Sequence, residues 1–126
     1  MSRIKGSNTK PEIAVRKLLH SMGFRFRLHD KTLPGKPDIV LRRHKRIIFV
    51  HGCFWHGHEV CTRSKRPSTN SQFWDDKISK NVLRDHQVAT SLKQLGWQVL
   101  VIWQCEMRDK SGLARKIDGF MRSEER

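Results

Sequence analysis

Acidic residues are scarce in this chain. Asp and Glu number 12 against 26 Lys and Arg, which leaves a formal charge of +14. The basic residues are spread along the sequence rather than gathered in a tail, so the folded surface itself should be positive. Such a surface attracts polyphosphate and releases counterions on binding, which points towards nucleic acid and a salt-dependent affinity. Long apolar runs are missing as well. No stretch could span a bilayer, and neither a signal peptide nor a lipidation motif is visible, so no membrane attachment is expected. Cysteine is limited to Cys53, Cys61 and Cys105. An odd number does not build a disulfide framework, and in a chain read as intracellular metal ligation accounts for it better. Repeats, low-complexity tracts and dividing linkers are absent. Residues 1–126 therefore read as one domain with its own core, residues 1–9 being a polar, basic, flexible arm.

What is present concentrates between His51 and Cys61, where the chain runs HGCFWHGHEVC. Two cysteines, three histidines and two adjacent aromatics share that segment. Thiolate and imidazole are the ligands zinc prefers, and histidine also moves protons near neutral pH. The segment follows the hydrophobic run Arg46–Val50, and Asp38 lies upstream in the turn-like context Leu33-Pro34-Gly35-Lys36-Pro37-Asp38. Metal chemistry beside a strand end, within a strongly basic chain, suggests an enzyme acting on nucleic acid.

The spacing predicts an α/β fold. Thr9-Lys10-Pro11-Glu12 offers a capping box for a helix starting near Lys10, with Val15, Leu18, Leu19 and Met22 on one face and Gly23 as the stop. Phe24–Leu28 alternates with period two, as a half-buried strand should. Asp38–Leu41 and Arg46–His51 form a hairpin around a basic turn at Arg42–Lys45. Helical sequence resumes near Ser71 and reaches Leu95, with Val82, Val88, Ala89, Leu92 and Leu95 towards the core and Gly96 as terminator. Trp97–Trp103 is a nearly continuous apolar strand, expected to be buried on both faces. Leu113, Ile117, Phe120 and Met121 mark a closing helix. The order α-β-β-β-α-β-α gives a mixed sheet flanked by helices.

Cys53, His58 and Cys61 are spaced to wrap one zinc ion, and Cys105 offers a fourth ligand if its strand lies beside the one ending at His51. Glu59 competes as a ligand, and ordinary buried cysteine is the plain alternative. Antiparallel pairing sets Asp38 across from about Phe49, near Val50 and His51. A carboxylate with a backbone carbonyl from the neighbouring strand can hold a hard divalent ion such as magnesium. A nearby imidazole, His51 or His56, would then handle a proton. Each residue also has a plain reading: a Pro-Asp turn for Asp38, a strand-end hydrogen bond for His51, and the helix cap for Glu12.

Taken together, the chain resembles the very short patch repair (Vsr) endonucleases. The match is carried by Asn8–Glu12, Leu33–Asp38, Phe49–His58, Phe73-Trp74, Lys77–Asn81 with Arg84-Asp85, and Gly96-Trp97 through Trp103–Cys105. These motifs are collinear and cover most of the chain. The resemblance implies a restriction-endonuclease-like fold with a structural zinc site. It also implies a magnesium-dependent nick on the 5′ side of the thymine in a T·G mismatch, the product of 5-methylcytosine deamination. By position, Asp38 and the main-chain oxygen of Val50 would hold magnesium, and His56 would be the catalytic acid/base with His51 in support. Glu12 would act through water. Zinc would be held by Cys53, His58, Cys61 and Cys105. Phe54, Trp55 and Trp74 would wedge into the base stack, and large flat apolar side chains suit that work. Met1, Lys77, Lys80, Asn81 and Arg84 would contact DNA. The implied setting is a monomer in the bacterial cytoplasm, working on nucleoid DNA and paired in function with a DNA cytosine-5 methyltransferase. Two departures stand out: His58–Cys61 is one residue longer than the common pattern, and the sequence before Met1 is shorter than usual. The competing expectations are a zinc-stabilised DNA-binding module without catalysis and a same-fold nuclease that cuts matched DNA.

Overall fold

Thr9 turns the chain into its first helix, its Oγ1 accepting the Glu12 N–H at 3.4 Å, and Pro11 occupies the first turn, where its missing N–H costs nothing. Helix α1 (Lys10–Ser21) buries Val15 and Leu19 and ends before Gly23, whose φ of +89° suits a residue without a side chain. The structure is a computed structural model and describes residues 9–53 and 69–122.

Four strands follow the expected order: β1 (Arg27–Leu28), β2 (Ile39–Leu41), β3 (Arg46–His51) and β4 (Gln98–Trp103). Helix α2 (Ser71–Gln94) separates β3 from β4, and α3 (Lys110–Arg122) closes the described chain. The sheet runs β1-β2-β3-β4, antiparallel across its first two pairings and parallel between β3 and β4. The expected basic turn is a 3-10 segment, Arg42–His44, closed by Lys45 in the left-handed region.

Alternation along the strands divides the core. Ile39, Leu41, Ile48 and Ile102 pack with Val15 and Leu19 of α1 and Leu113, Ile117 and Met121 of α3. Val40, Ile47 and Phe49 face the opposite way, towards Leu92 of α2 and Trp97. The sheet is thus covered on both faces, which explains why β2 is apolar at three consecutive positions. Fully burying each Leu or Ile contributes roughly 1.5–3 kcal/mol.

Four expectations are corrected. The strand predicted over Phe24–Leu28 shrinks to Arg27–Leu28, because the three-residue β2 offers few backbone partners. Phe24 and Phe26 nevertheless pack against the core. β4 is not buried on both faces: it stands at the sheet edge, so Val99–Val101 are only half-buried. Leu95 is exposed, because it caps α2 and the chain reverses at Gly96 (φ +95°), leaving Trp97 to cover the core. Glu12 spends its carboxylate on Arg16 and His29 rather than returning it to the cap.

Candidate active site and thiol pair

The β1–β2 register brings the first two groups of the site together. Leu28 pairs with Ile39, and one step further the His29 N–H donates to the Asp38 carbonyl at 3.2 Å. His29 leaves the strand at φ +49°, in the left-handed region. The intervening turn is fixed by Asp30, whose Oδ1 accepts from the Thr32 hydroxyl at 2.5 Å and the Thr32 N–H at 2.9 Å. Those bonds, with the Arg42 guanidinium on Oδ2, hold the Asp30 carboxyl below its ordinary value.

Asp38 lies as the hairpin predicts. Ile39 pairs with Ile48, so Asp38 falls opposite Phe49, and its Oδ2 accepts the Val50 N–H at 2.8 Å. From the other side comes Glu12 of α1, 2% exposed. Its Oε2 lies 2.7 Å from Arg16 Nη2 and 2.5 Å from His29 Nε2. Glu12, His29 and Asp38 each bring one potential ligand atom to a group whose three members lie within 4.8 Å of one another. Two carboxylates and an imidazole suit a divalent cation. Sequence reasoning found Glu12 and Asp38 but missed His29. The available signal was its position one residue beyond an alternating segment.

A cleft of about 670 Å³ opens beside this cluster, between the sheet and α2. His29, Asp38, Val50 and His51 line it from the sheet side, and Arg84 and Asp85 from the helix. His51 ends β3, buried between the rings of Phe49 and Trp103. Its Nδ1 stands 4.0 Å from Asp85 Oδ2, so a carboxylate of α2 faces the imidazole across the cleft. Lys36 and Arg84 add cationic groups to the cleft, which can accept a phosphodiester above the carboxylates.

Parallel pairing of His51 with Trp103 brings the chain beyond both strands to the same rim. There Cys53 is fully buried, and the Cys105 N–H donates to its Sγ at 3.4 Å. Two of the four anticipated zinc ligands are therefore adjacent, and sulfur accepting a backbone N–H suits a thiolate that binds metal. His58 and Cys61, with His56, Phe54, Trp55 and the competing Glu59, lie outside the described residues, as does Met1. Trp74 is half-buried in the first turns of α2, edge-on to the exposed Phe73. Lys77, Lys80 and Arg84 are exposed on the same helix, and Asn81 is half-buried among them. Their spacing aligns them along one stripe. Among the described residues no helix is long and apolar enough to cross a membrane.

The sequence is similar to proteins of known activity. The profile of the family described as DNA mismatch endonuclease Vsr matches residues 1–63. The Type II nicking enzyme V.XorIIP of Xanthomonas oryzae pv. oryzae is 47% identical over 121 residues, covering 96% of this chain and 88% of its own length. The Type II nicking enzyme V.NmeAIP of Neisseria meningitidis is 43% identical over 97% of this chain and 86% of its own. The DNA mismatch endonuclease Vsr of Escherichia coli K12 is 42% identical over 90% of this chain and 72% of its own.

Proposed function

The chain belongs to the DNA mismatch endonuclease Vsr family, and on that premise we propose that its cleft nicks one DNA strand 5′ of the thymine in a T·G mismatch. It is a DNA endonuclease of the nicking kind, and the reading assigns it the opening cut of very short patch repair. The observation that carries the proposal is the convergence of Glu12, His29 and Asp38 beside Val50 and His51, in a cleft that also holds Lys36 and Arg84.

Asp38 and the Val50 main-chain oxygen hold magnesium in this reading, with Glu12 acting through water. In an extended strand the N–H and C=O of one residue leave by the same edge, so the Val50 carbonyl faces Asp38 as its N–H does. When bound, a divalent cation there supplies the Lewis acidity that polarises the scissile phosphate. His56 moves the proton as acid/base, and His51, steadied by Asp85 and Trp103, supports it. Arg84 and Lys36 draw the phosphate into the cleft. Lys77, Lys80 and Asn81 track the backbone, fixing register without reading sequence. Phe54, Trp55 and Trp74 part the stacked bases beside the mismatch, and Met1 joins them from the arm.

Cys53, His58, Cys61 and Cys105 hold a structural zinc ion that shapes the segment after β3. Support comes from the Cys53–Cys105 contact and from the soft donor set. The fold is read as restriction-endonuclease-like, in a single domain spanning 1–126 and acting as a monomer. A DNA cytosine-5 methyltransferase is the functional companion, and the bacterial cytoplasm is the site of action.

The test is a nicking assay on T·G and T·A duplexes of one sequence, with magnesium and with chelator. A single nick 5′ of the mispaired thymine, dependent on magnesium, is expected. Equal cutting of both duplexes would instead indicate a nuclease for matched DNA, and tight binding without any nick would reduce the protein to a binding module.

A further inference from the structure

We propose that His29 supplies an imidazole nitrogen to the cation held beside Asp38, and that this gives the site a bias towards manganese(II) over magnesium. The inference rests on the reading that Asp38 holds the catalytic cation, and it adds to that reading a ligand and a metal preference.

Three observations lead there. The ligand atoms of Glu12, His29 and Asp38 lie within 4.8 Å of one another. On an octahedral ion with bonds near 2.1 Å, neighbouring ligands stand about 3 Å apart and opposite ones about 4.2 Å. The trio approaches that scale, and His29 Nε2, hydrogen-bonded to Glu12 Oε2 at 2.5 Å, would exchange that proton for the ion on binding it. Second, His29 adopts φ +49°, a conformation that costs a side-chain-bearing residue about 1 kcal/mol or more. The backbone bond to the Asp38 carbonyl fixes the His29 main chain at the register position beside Asp38. Third, the imidazole lines the cleft and is mostly enclosed, with 20% of its side chain exposed. That leaves it facing the site rather than solvent.

Chemistry then sets the preference. Magnesium favours oxygen donors and dehydrates reluctantly, whereas first-row transition ions accept imidazole nitrogen readily. A site of carboxylates and a carbonyl alone would discriminate little between magnesium and manganese. One nitrogen donor shifts the balance towards manganese.

The experiment uses the full chain with manganese(II) as the probe. Binding is followed through the electron paramagnetic resonance of the free ion, and the bound ion is examined by pulsed measurement of nitrogen coupling. The variants are His29→Asn, which tolerates the left-handed backbone, and His29→Gln, which keeps more of the side chain's length. Either suffices if the other does not fold. In both, manganese affinity is expected to fall about tenfold while magnesium affinity, read by competition, changes less than about threefold. The nitrogen coupling should fall with it, and the ratio of manganese- to magnesium-supported nicking should drop. Unchanged nitrogen coupling in the variants, or equal weakening of both metals, would overturn the proposal and leave His29 as a clamp on Glu12. Asp38→Asn separates the two levels of the argument. Undiminished manganese affinity in that variant would strike the underlying assignment of Asp38 instead.

Discussion

Asp38 Oδ2 accepts the Val50 N–H at 2.8 Å, so the carboxylate is anchored to the strand that leads into His51. Asp38→Asn keeps an acceptor for that bond but removes the charge. Losing Lewis-acid assistance worth about 4 kcal/mol corresponds to roughly a thousandfold slower nicking. Single-turnover rates on a T·G duplex should show that loss, while fluorescence anisotropy gives a DNA affinity changed by less than about threefold. Near-normal turnover in the variant would remove Asp38 from the metal site.

Cys53→Ala is expected to lower zinc content and thermal stability together, because ion binding and local folding form one equilibrium. Cys105→Ala should do the same, since the Cys105 N–H already meets Cys53 Sγ. Elemental analysis beside a melting curve checks both, and chelation of the wild-type protein should reproduce the shift. A fully loaded, equally stable variant contradicts the ligand assignment.

Trp74→Ala bears on recognition. A base–aromatic stack contributes about 1–3 kcal/mol, so preference for T·G over T·A duplex should fall roughly tenfold. Affinity for matched duplex depends mainly on phosphate contacts and should move far less. Competition binding with the two duplexes decides the matter, and an intact preference would return Trp74 to simple packing.

Arg46 supports the fold rather than the chemistry. It is buried, donating to the carbonyls of Phe120 and His44, each at 2.9 Å, with its guanidinium over the Phe120 ring. Arg46→Met keeps much of the volume but leaves those acceptors stranded, at a cost of about 2 kcal/mol or more. Urea unfolding should register the loss, while the nicking rate of the folded fraction stays unchanged.

Legibility in the sequence followed the range of the interactions. The hairpin was readable because two apolar runs flank a basic turn, and its register followed from counting residues. Helix α2 was readable from its period, although Ile78 is fully buried and lay outside the anticipated apolar positions. By itself Glu12 read as a helix cap, since a capping signature and an inward carboxylate use the same residue, and its place at the site came from the family resemblance. His29 was missed, although it stands one residue beyond an alternating segment. Its place beside Asp38 depends on how the turn over residues 30–37 closes, through Asp30, Thr32 and the Lys36 N–H bond to the Leu33 carbonyl. Expectations for His56, His58 and Cys61 lie outside the described residues.

Gly35 has φ +74°, and a Cβ there would stand 2.5 Å from Val88 Cγ1. The loop carrying Asp38 is therefore seated on α2 without space for one methyl group. The turn that leads to Asp38 thus rests directly on α2, and any side chain placed at residue 35 would have to part the two.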